Sequence, residues 1–298
     1  MENNTFNKPL VSICCLTYNH ATFIVQAMDS FLMQRTIFPI EIIIHDDAST
    51  DNTADIIREY AVKDKRIITI LQTENQYSKG INPAVKYLFP IARGKYIAAC
   101  EGDDYWTDPF KLQKQVDFLE ANPDYSISFH AAEHLDVNSG RKIIHRYKCK
   151  NGFRFFTAKD AIRKSGGFMT TNSMVFRTEF ITHLPEWVIN APAGDFALSL
   201  LLASKGHIGY FDEIMSVYRR NVPGSMTSHF YCNLSNLSKL IKNTNKMLFG
   251  FNKYTKRKHM VLISISIIKN YIGYYKHFIC SSGNFVMAKI LQYTKKCS

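Results

Sequence analysis

The chain of 298 residues is 46% hydrophobic and 21% charged, which excludes a disordered polymer and allows a sizeable buried core. Its net charge of +12 is uneven: all 25 acidic residues lie at or before Glu213, while residues 214–298 carry 14 Lys and Arg and no acid. A near-neutral body therefore carries a strongly basic tail.

The opening "MENNTFNKPLVSICCL" lacks the positively charged start of a secretory leader, and "MVLISISII" is far short of the roughly 20 residues a spanning helix needs. Seven scattered cysteines show no CxxC spacing and suit reduced core residues of a cytoplasmic protein.

"LVSICCLTYN" reads as a strand buried on both faces and ends in Thr17, Tyr18 and Asn19. "HATFIVQAMDSFLMQR" follows with helical spacing. "IEIIIHDD" is a second buried strand ending in Asp46 and Asp47, and "ASTDNTADIIREYAVKD" a capped amphipathic helix. "IITILQ" is a third strand, "INPAVKYLFPIA" a helix with proline near its start, and "RGKYIAAC" a turn and fourth strand. That strand delivers Glu101, Asp103 and Asp104 at its end. Past residue 125 the alternation stops. A hairpin is expected around Asn138–Gly140, short helices at "AKDAIRKSG" and "GDFALSLLLASKG", and a strand at "HIGYFDEIMSVYRR".

Strands alternating with helices imply an α/β fold, a mostly parallel, Rossmann-like sheet flanked by helices, and in such sheets ligands bind outside the carboxyl ends of the strands. Three strand ends here carry polar groups to one edge. Three carboxylates in four positions repel one another unless a cation sits among them, and hard Mg²⁺ or Mn²⁺ prefers carboxylate oxygen. The competing reading is a solvated acidic turn, which the convergence of separate strand ends disfavours.

Together, "VSICCLTYNHATFIVQAMDSFLMQ", "EIIIHDDASTDNTADII", "ARGKYIAACEGDDYWTDPFKLQKQVDFLEANPD" and "AGDFALSLLLASKG" resemble family 2 glycosyltransferases of GT-A fold over roughly residues 9–220. The resemblance implies a nucleotide-sugar donor and a divalent metal, Mn²⁺ or Mg²⁺. It implies that Thr17, Tyr18 and Asn19 line the nucleotide pocket, that Asp47 accepts from a uracil N3–H, that Asp103 lies near the ribose, and that Asp104 holds the metal with Glu101 at the first acidic position of the motif. Asn75 falls where the family has a conformationally special Asn. A metal bridging both phosphates stabilises the leaving group. An acceptor hydroxyl needs a base, and in-line displacement inverts the anomeric carbon.

Asp195 matches the family's second "GD" element and is the candidate base; its position also suits a helix N-cap, and the two roles are compatible. Glu186 and Asp212 are weaker alternatives. Many members carry "YRxH", its histidine sometimes a metal ligand, where this chain has Tyr218-Arg219-Arg220-Asn221. Either the metal has fewer protein ligands or this loop contacts the diphosphate through Arg219, Arg220 or Ser225, with Arg219 or Arg220 expected at phosphate. Lys79 either reaches phosphate or is simply exposed. Trp106 and Trp187 are each either an acceptor-side sugar platform or a packing anchor, and Pro109 is expected in the first turn of the helix after Trp106.

The expected organisation is a catalytic domain over residues 1–225, with a nucleotide-sugar half at 9–125 and an acceptor half at 126–225, then basic amphipathic helices over 226–298. Lysines alternating with Tyr, Phe, Ile and Leu suit an anionic membrane surface, here the inner face of the cytoplasmic membrane, and an acceptor that is a glycan or lipid-linked. A plain helical layer with solvated lysines is the competing reading. A nucleotidyltransferase is disfavoured because no glycine-rich loop follows the first strand. A nucleic-acid-binding protein is disfavoured because it leaves the acidic strand ends unexplained, so no nucleic-acid partner is expected.

Overall fold

The computed structural model describes residues 8–225, 234–275 and 278. The first half follows the predicted alternation: β1 (Val11–Thr17), α1 (Ile24–Leu32), β2 (Ile40–Asp46), α2 (Thr53–Lys63), β3 (Ile67–Leu71) and β4 (Tyr96–Glu101). β3, β2, β1 and β4 lie side by side and parallel. Their apolar runs are continuous because both faces are covered. Val11, Ile13 and Cys15 of β1, with Ile42 and Ile44 of β2, face the core shared with α1, whereas Cys14 and Ile43 face the opposite core. This is the period-two alternation of a strand, with apolar side chains on both faces.

The second half comprises β5 (Tyr105–Trp106), α3 (Lys111–Ala121), β6 (Tyr125–Asp136), β7 (Lys142–His145), β8 (Phe153–Phe156), α4 (Ala158–Lys164), β9 (Val175–Arg177), α5 (Glu186–Ile189), α6 (Gly194–Ala203), β10 (His207–Arg220) and α7 (Leu234–Tyr254). Here the sheet is mixed. β6 and β10 are parallel, but β9 joins β4 and β6 antiparallel, and β5, β7 and β8 add antiparallel edges. The expected hairpin is β6–β7, closed by the Gly140 N–H donating to Asp136 O with Gly140 at φ +69°. α6 is buried throughout beyond its first turn, apolar there except for Ser199, and packs with α4, α5 and α7 over the second core.

Several expectations need correction. The helix expected over 81–92 is only a π turn (Ala84–Leu88) followed by a 3-10 turn (Phe89–Ile91), because Pro83 precedes it and Pro90 has no N–H to continue the ladder. α3 begins at Lys111, so Pro109 stands outside it, its carbonyl accepting from Arg35 N–H. Trp106 is 1% exposed, edge-on to Phe31, with its indole N–H donating to Asn172 O at 2.8 Å. It is therefore a packing anchor and no sugar platform. Trp187 lies against Phe251 and Tyr254 of α7, so close to Gly250 that any side chain there would collide with it. It too anchors a helix.

In the tail, α7 and a second helix over 260–275 are present; the third expected helix, "NFVMAKILQYTKK", lies outside the described residues. Among the described residues no helix is long and apolar enough to cross a membrane. Cys14, Cys15, Cys100 and Cys149 are free thiols, and only Cys149 is not fully buried.

Candidate active site

The strand ends meet at the carboxyl edge of the sheet, as parallel register requires: Thr17 lies opposite Asp46, and Leu16 opposite Glu101. Thr17 is buried and its hydroxyl donates to His45 O and Asp46 Oδ1. The chain then turns at Asn19, φ +55°, a left-handed conformation that Asn tolerates. Asn19 Oδ1 accepts from Thr50 N–H at 2.7 Å, and its own N–H donates to Ser49 Oγ at 2.8 Å. Asp51 accepts from Ala21 and Thr53 N–H. The loops after β1 and β2 are thus laced together. Tyr18 projects from this turn, 41% exposed.

Asp47 is 4% exposed, and its two carboxylate oxygens accept from Gln76 N–H (2.8 Å) and Tyr77 N–H (3.0 Å). Asn75 donates to Asp47 O and accepts from Ser78 N–H. Asp47 and Asn75 therefore shape the turn after β3. Lys79 is exposed and paired with Glu74.

The acidic motif is denser. Ligand oxygens of Glu101, Asp103 and Asp104 lie within 4.8 Å of one another. Gly102 between them has no room for a side chain: a Cβ would collide with Thr17 Cγ2. Asp104 is fully buried; Oδ1 accepts from Arg219 N–H at 2.7 Å, and Oδ2 is buried with no hydrogen-bond partner. Burial, with Asp103 and Asp195 nearby, pushes Glu101 up to about 8. Burial, then Asp103 and Glu101, hold Asp104 well above the carboxylate range. A buried carboxylate oxygen without a donor, among acids that resist ionisation together, is a site that a divalent cation fits.

Asp195 stands in the first turn of α6, Oδ1 accepting from Phe196 N–H at 2.7 Å, and burial raises its pKa. The helix start that holds it adjoins Asn82, on the segment beyond Lys79.

Arg219 departs from expectation. Its guanidinium is held between the Phe23 and Tyr105 rings (4.8 and 4.7 Å) and donates to Asp103 O and Gln26 Oε1. It clamps the acidic turn and is engaged by protein instead of facing a phosphate. Arg220 is exposed. Asn221, φ +62°, donates to Asp136 Oδ2.

Sequence reasoning missed Tyr218. Burial, then Glu101, Asp104, Asp103 and Asp195, push its hydroxyl far up, which marks it as a neighbour of the acidic cluster. His134 lies beside it at 5.2 Å between ring centroids, itself stacked on His145. His20 Nε2 lies 3.9 Å from Asp103 Oδ2. The alternation of β10 was the available signal, since Tyr218 shares a face with Ser216, whose hydroxyl meets Asn172 behind the site.

The sequence profile described as Glycosyl transferase family 2 matches residues 12–184. An uncharacterized protein of Mycobacterium bovis is 36% identical over 220 residues, 72% of this chain but 60% of the relative's own length. The glucosyltransferase WfaP of Escherichia coli, described as UDP-Glc:alpha-D-GlcNAc-diphosphoundecaprenol beta-1,3-glucosyltransferase, is 45% identical over 111 residues, 37% of this chain and 41% of WfaP. Among solved structures, the mannosyltransferase PcManGT of Pyrobaculum calidifontis, in complex with GDP-Man and Mn²⁺, superposes with a TM-score of 0.55 at 16% identity, over 98% of this chain and 81% of that one. Staphylococcus aureus TarS in complex with UDP-GlcNAc gives 0.55 at 16%, over 90% and 81%. At such identity the likeness is one of fold, the GT-A arrangement.

Proposed function

The chain belongs to glycosyl transferase family 2, and on that premise we propose that it is an inverting glycosyltransferase moving a sugar from a nucleotide-diphosphate donor to a hydroxyl of a glycan or lipid-linked acceptor in surface polysaccharide synthesis. The observation that carries the reading is the Glu101–Asp103–Asp104 cluster with its unpartnered Asp104 Oδ2. In this reading residues 9–125 form the donor half and 126–225 the acceptor half.

Asp104 and Glu101 would hold Mn²⁺ or Mg²⁺. When bound, the cation acts as a Lewis acid that neutralises the diphosphate leaving group. Thr17, Tyr18, Asn19 and Asp47 line the nucleotide cleft, with Asp103 toward the ribose. Asp47 keeps acceptor capacity beyond its two N–H bonds, since an ionised carboxylate offers about four lone-pair sites. A donor N–H such as uracil N3–H is suited to it. The donor named for WfaP and the ligand of TarS are also UDP-sugars, which supports uridine. The diphosphoundecaprenol acceptor named for WfaP supports a lipid-linked one.

Asp195 is the base. Its raised pKa makes it a better proton acceptor than an exposed Asp, and its Phe196 N–H bond fixes the carboxylate while leaving one oxygen for the acceptor hydroxyl. As the hydroxyl oxygen bonds the anomeric carbon, its proton passes to Asp195 and the bond to the nucleotide diphosphate breaks on the opposite side. Tyr218, held neutral, stands beside the acid cluster.

The test is a thermal-shift panel of UDP, GDP and dTDP, each with and without Mn²⁺, on wild type and Asp104→Asn. A diphosphate at about 100 times its Kd stabilises by about 2.7 kcal/mol, which is a shift of about 2–4 °C at this size. The expected result is stabilisation by UDP only with Mn²⁺, and no response in Asp104→Asn. A shift indifferent to both metal and Asp104 overturns the reading.

A further inference from the structure

The helix over 260–275 packs on the protein by one face and carries an apolar stripe on the opposite one. Its inner face is packed: Ile263 is 1% and Ser266 4% exposed, and Asn270 Nδ2 donates to Asn245 Oδ1 of α7 at 2.8 Å. Ser266 Oγ also lies 3.5 Å from Ser165 Oγ, just past α4. The outer face is a stripe of Val261, Ile265, Ile268, Ile272 and Tyr275, spaced alternately four and three apart and each 45–69% exposed. With a rise of about 1.5 Å per residue the stripe is about 21 Å long. Nothing among the described residues covers it.

The charge around the stripe is of one sign. Lys256, Arg257 and Lys258 stand exposed on the turn that leads into the helix, and Lys269 beside the stripe. None of the four is in an ion pair among the described residues, and no acid occurs anywhere after Glu213.

We infer that this face is a membrane-docking surface, with the 260–275 helix lying in the plane of an anionic lipid surface, its branched side chains among the acyl chains and its cations at the headgroups. Each competing occupant meets only half of the surface. A second copy would bring the same cations face to face. A nucleic acid would satisfy the cations but leave four aliphatic side chains in water, with Tyr275 the stripe's only ring to stack a base on. An anionic bilayer takes both, since apolar area and basic charge add in interfacial binding. The surface rests on the tail's own geometry and is independent of the sugar donor.

The experiment is flotation of the full chain with vesicles of phosphatidylcholine alone or mixed with phosphatidylglycerol, without nucleotide or metal. Binding is expected to the anionic vesicles only, weakened at about 1 M salt, where the Debye length falls to about 3 Å. The double variant Ile268→Asp/Ile272→Asp and the triple variant Lys256→Gln/Arg257→Gln/Lys258→Gln each lower partitioning at least about tenfold, with unchanged melting temperature because all five residues are exposed. As a measurement that does not rely on loss, Ile268→Trp in vesicles with brominated acyl chains gains quenching over wild type, as a residue about 5–10 Å deep must. Unchanged vesicle binding in both multiple variants, or no gain in quenching, overturns the proposal. So does a double variant that keeps its vesicle binding but dissociates a dimer in sedimentation, or oligonucleotide binding that falls in the triple variant while vesicle binding persists.

Discussion

The carboxyl edge of β1, β2 and β4 and the helices past residue 234 are both rich in one sign of charge, and they carry it in opposite ways. At the strand ends the acids are withdrawn from water: Asp104 is fully buried and Glu101 is pushed up to about 8. In the tail the cations stand in the open on flexible stems. Buried like charges are costly and define a point in space, so they suit a compact counter-ion and a substrate held to fractions of an ångström. Exposed like charges cost little and define no point, so they suit a diffuse partner. One region is built for chemistry and the other for location.

Substitutions at the acidic edge sharpen that contrast, and the largest effect is expected at Asp195. Asp195→Asn lowers kcat by about 10³-fold with the donor KM nearly unchanged, as loss of a general base does; an equal rise in KM would mean that the residue only binds. Next comes Trp106, for which burial decides between the two readings the sequence left open. Trp106→Ala costs about 3–5 kcal/mol of stability by emptying the core beside Phe31, read in urea unfolding. Trp106→Leu recovers part of that loss by refilling the space and leaves the acceptor KM as it was, which loss of a sugar platform could not do.

Gly102→Ala is smaller. The added methyl meets Thr17 Cγ2 and must displace the acidic turn, costing about 1–3 kcal/mol and weakening the Mn²⁺-dependent thermal shift. Smallest is His134, whose folded pKa lies near 4, held down by burial and then by His145 and Arg220. Its contribution is present above the unfolded value of about 6.5 and is lost as pH falls toward 4. Because the ring is partly solvated, the loss is about 1 kcal/mol, and His134→Gln flattens the melting temperature against pH across that window.

Much of this architecture was legible in the residues. β1, β2 and β4 could be read because a strand covered on both faces is mostly apolar on both, and each of these runs ends in polar or acidic residues. Asp46, Asp47 and Glu101 were predicted at one edge because parallel strands deliver their ends together. The helix expected over 81–92 failed because two prolines outweighed good periodicity. Arg219 was misjudged for a different reason: an arginine's partners come from residues over a hundred positions away, and only the fold brings Gln26, Phe23 and Asp103 around it.

Local pattern was sufficient for the α/β order, for the acidic strand end and for the split between a neutral body and a basic tail, because periodicity and charge are properties of neighbours in the chain. The mixed second half of the sheet, the burial of Trp106 and the neutral Tyr218 beside the acidic cluster were decided by tertiary structure. So was the direction in which the 260–275 helix turns its exposed apolar stripe. Each depends on which distant surface a side chain meets, and a sequence records that only through the packing it produces.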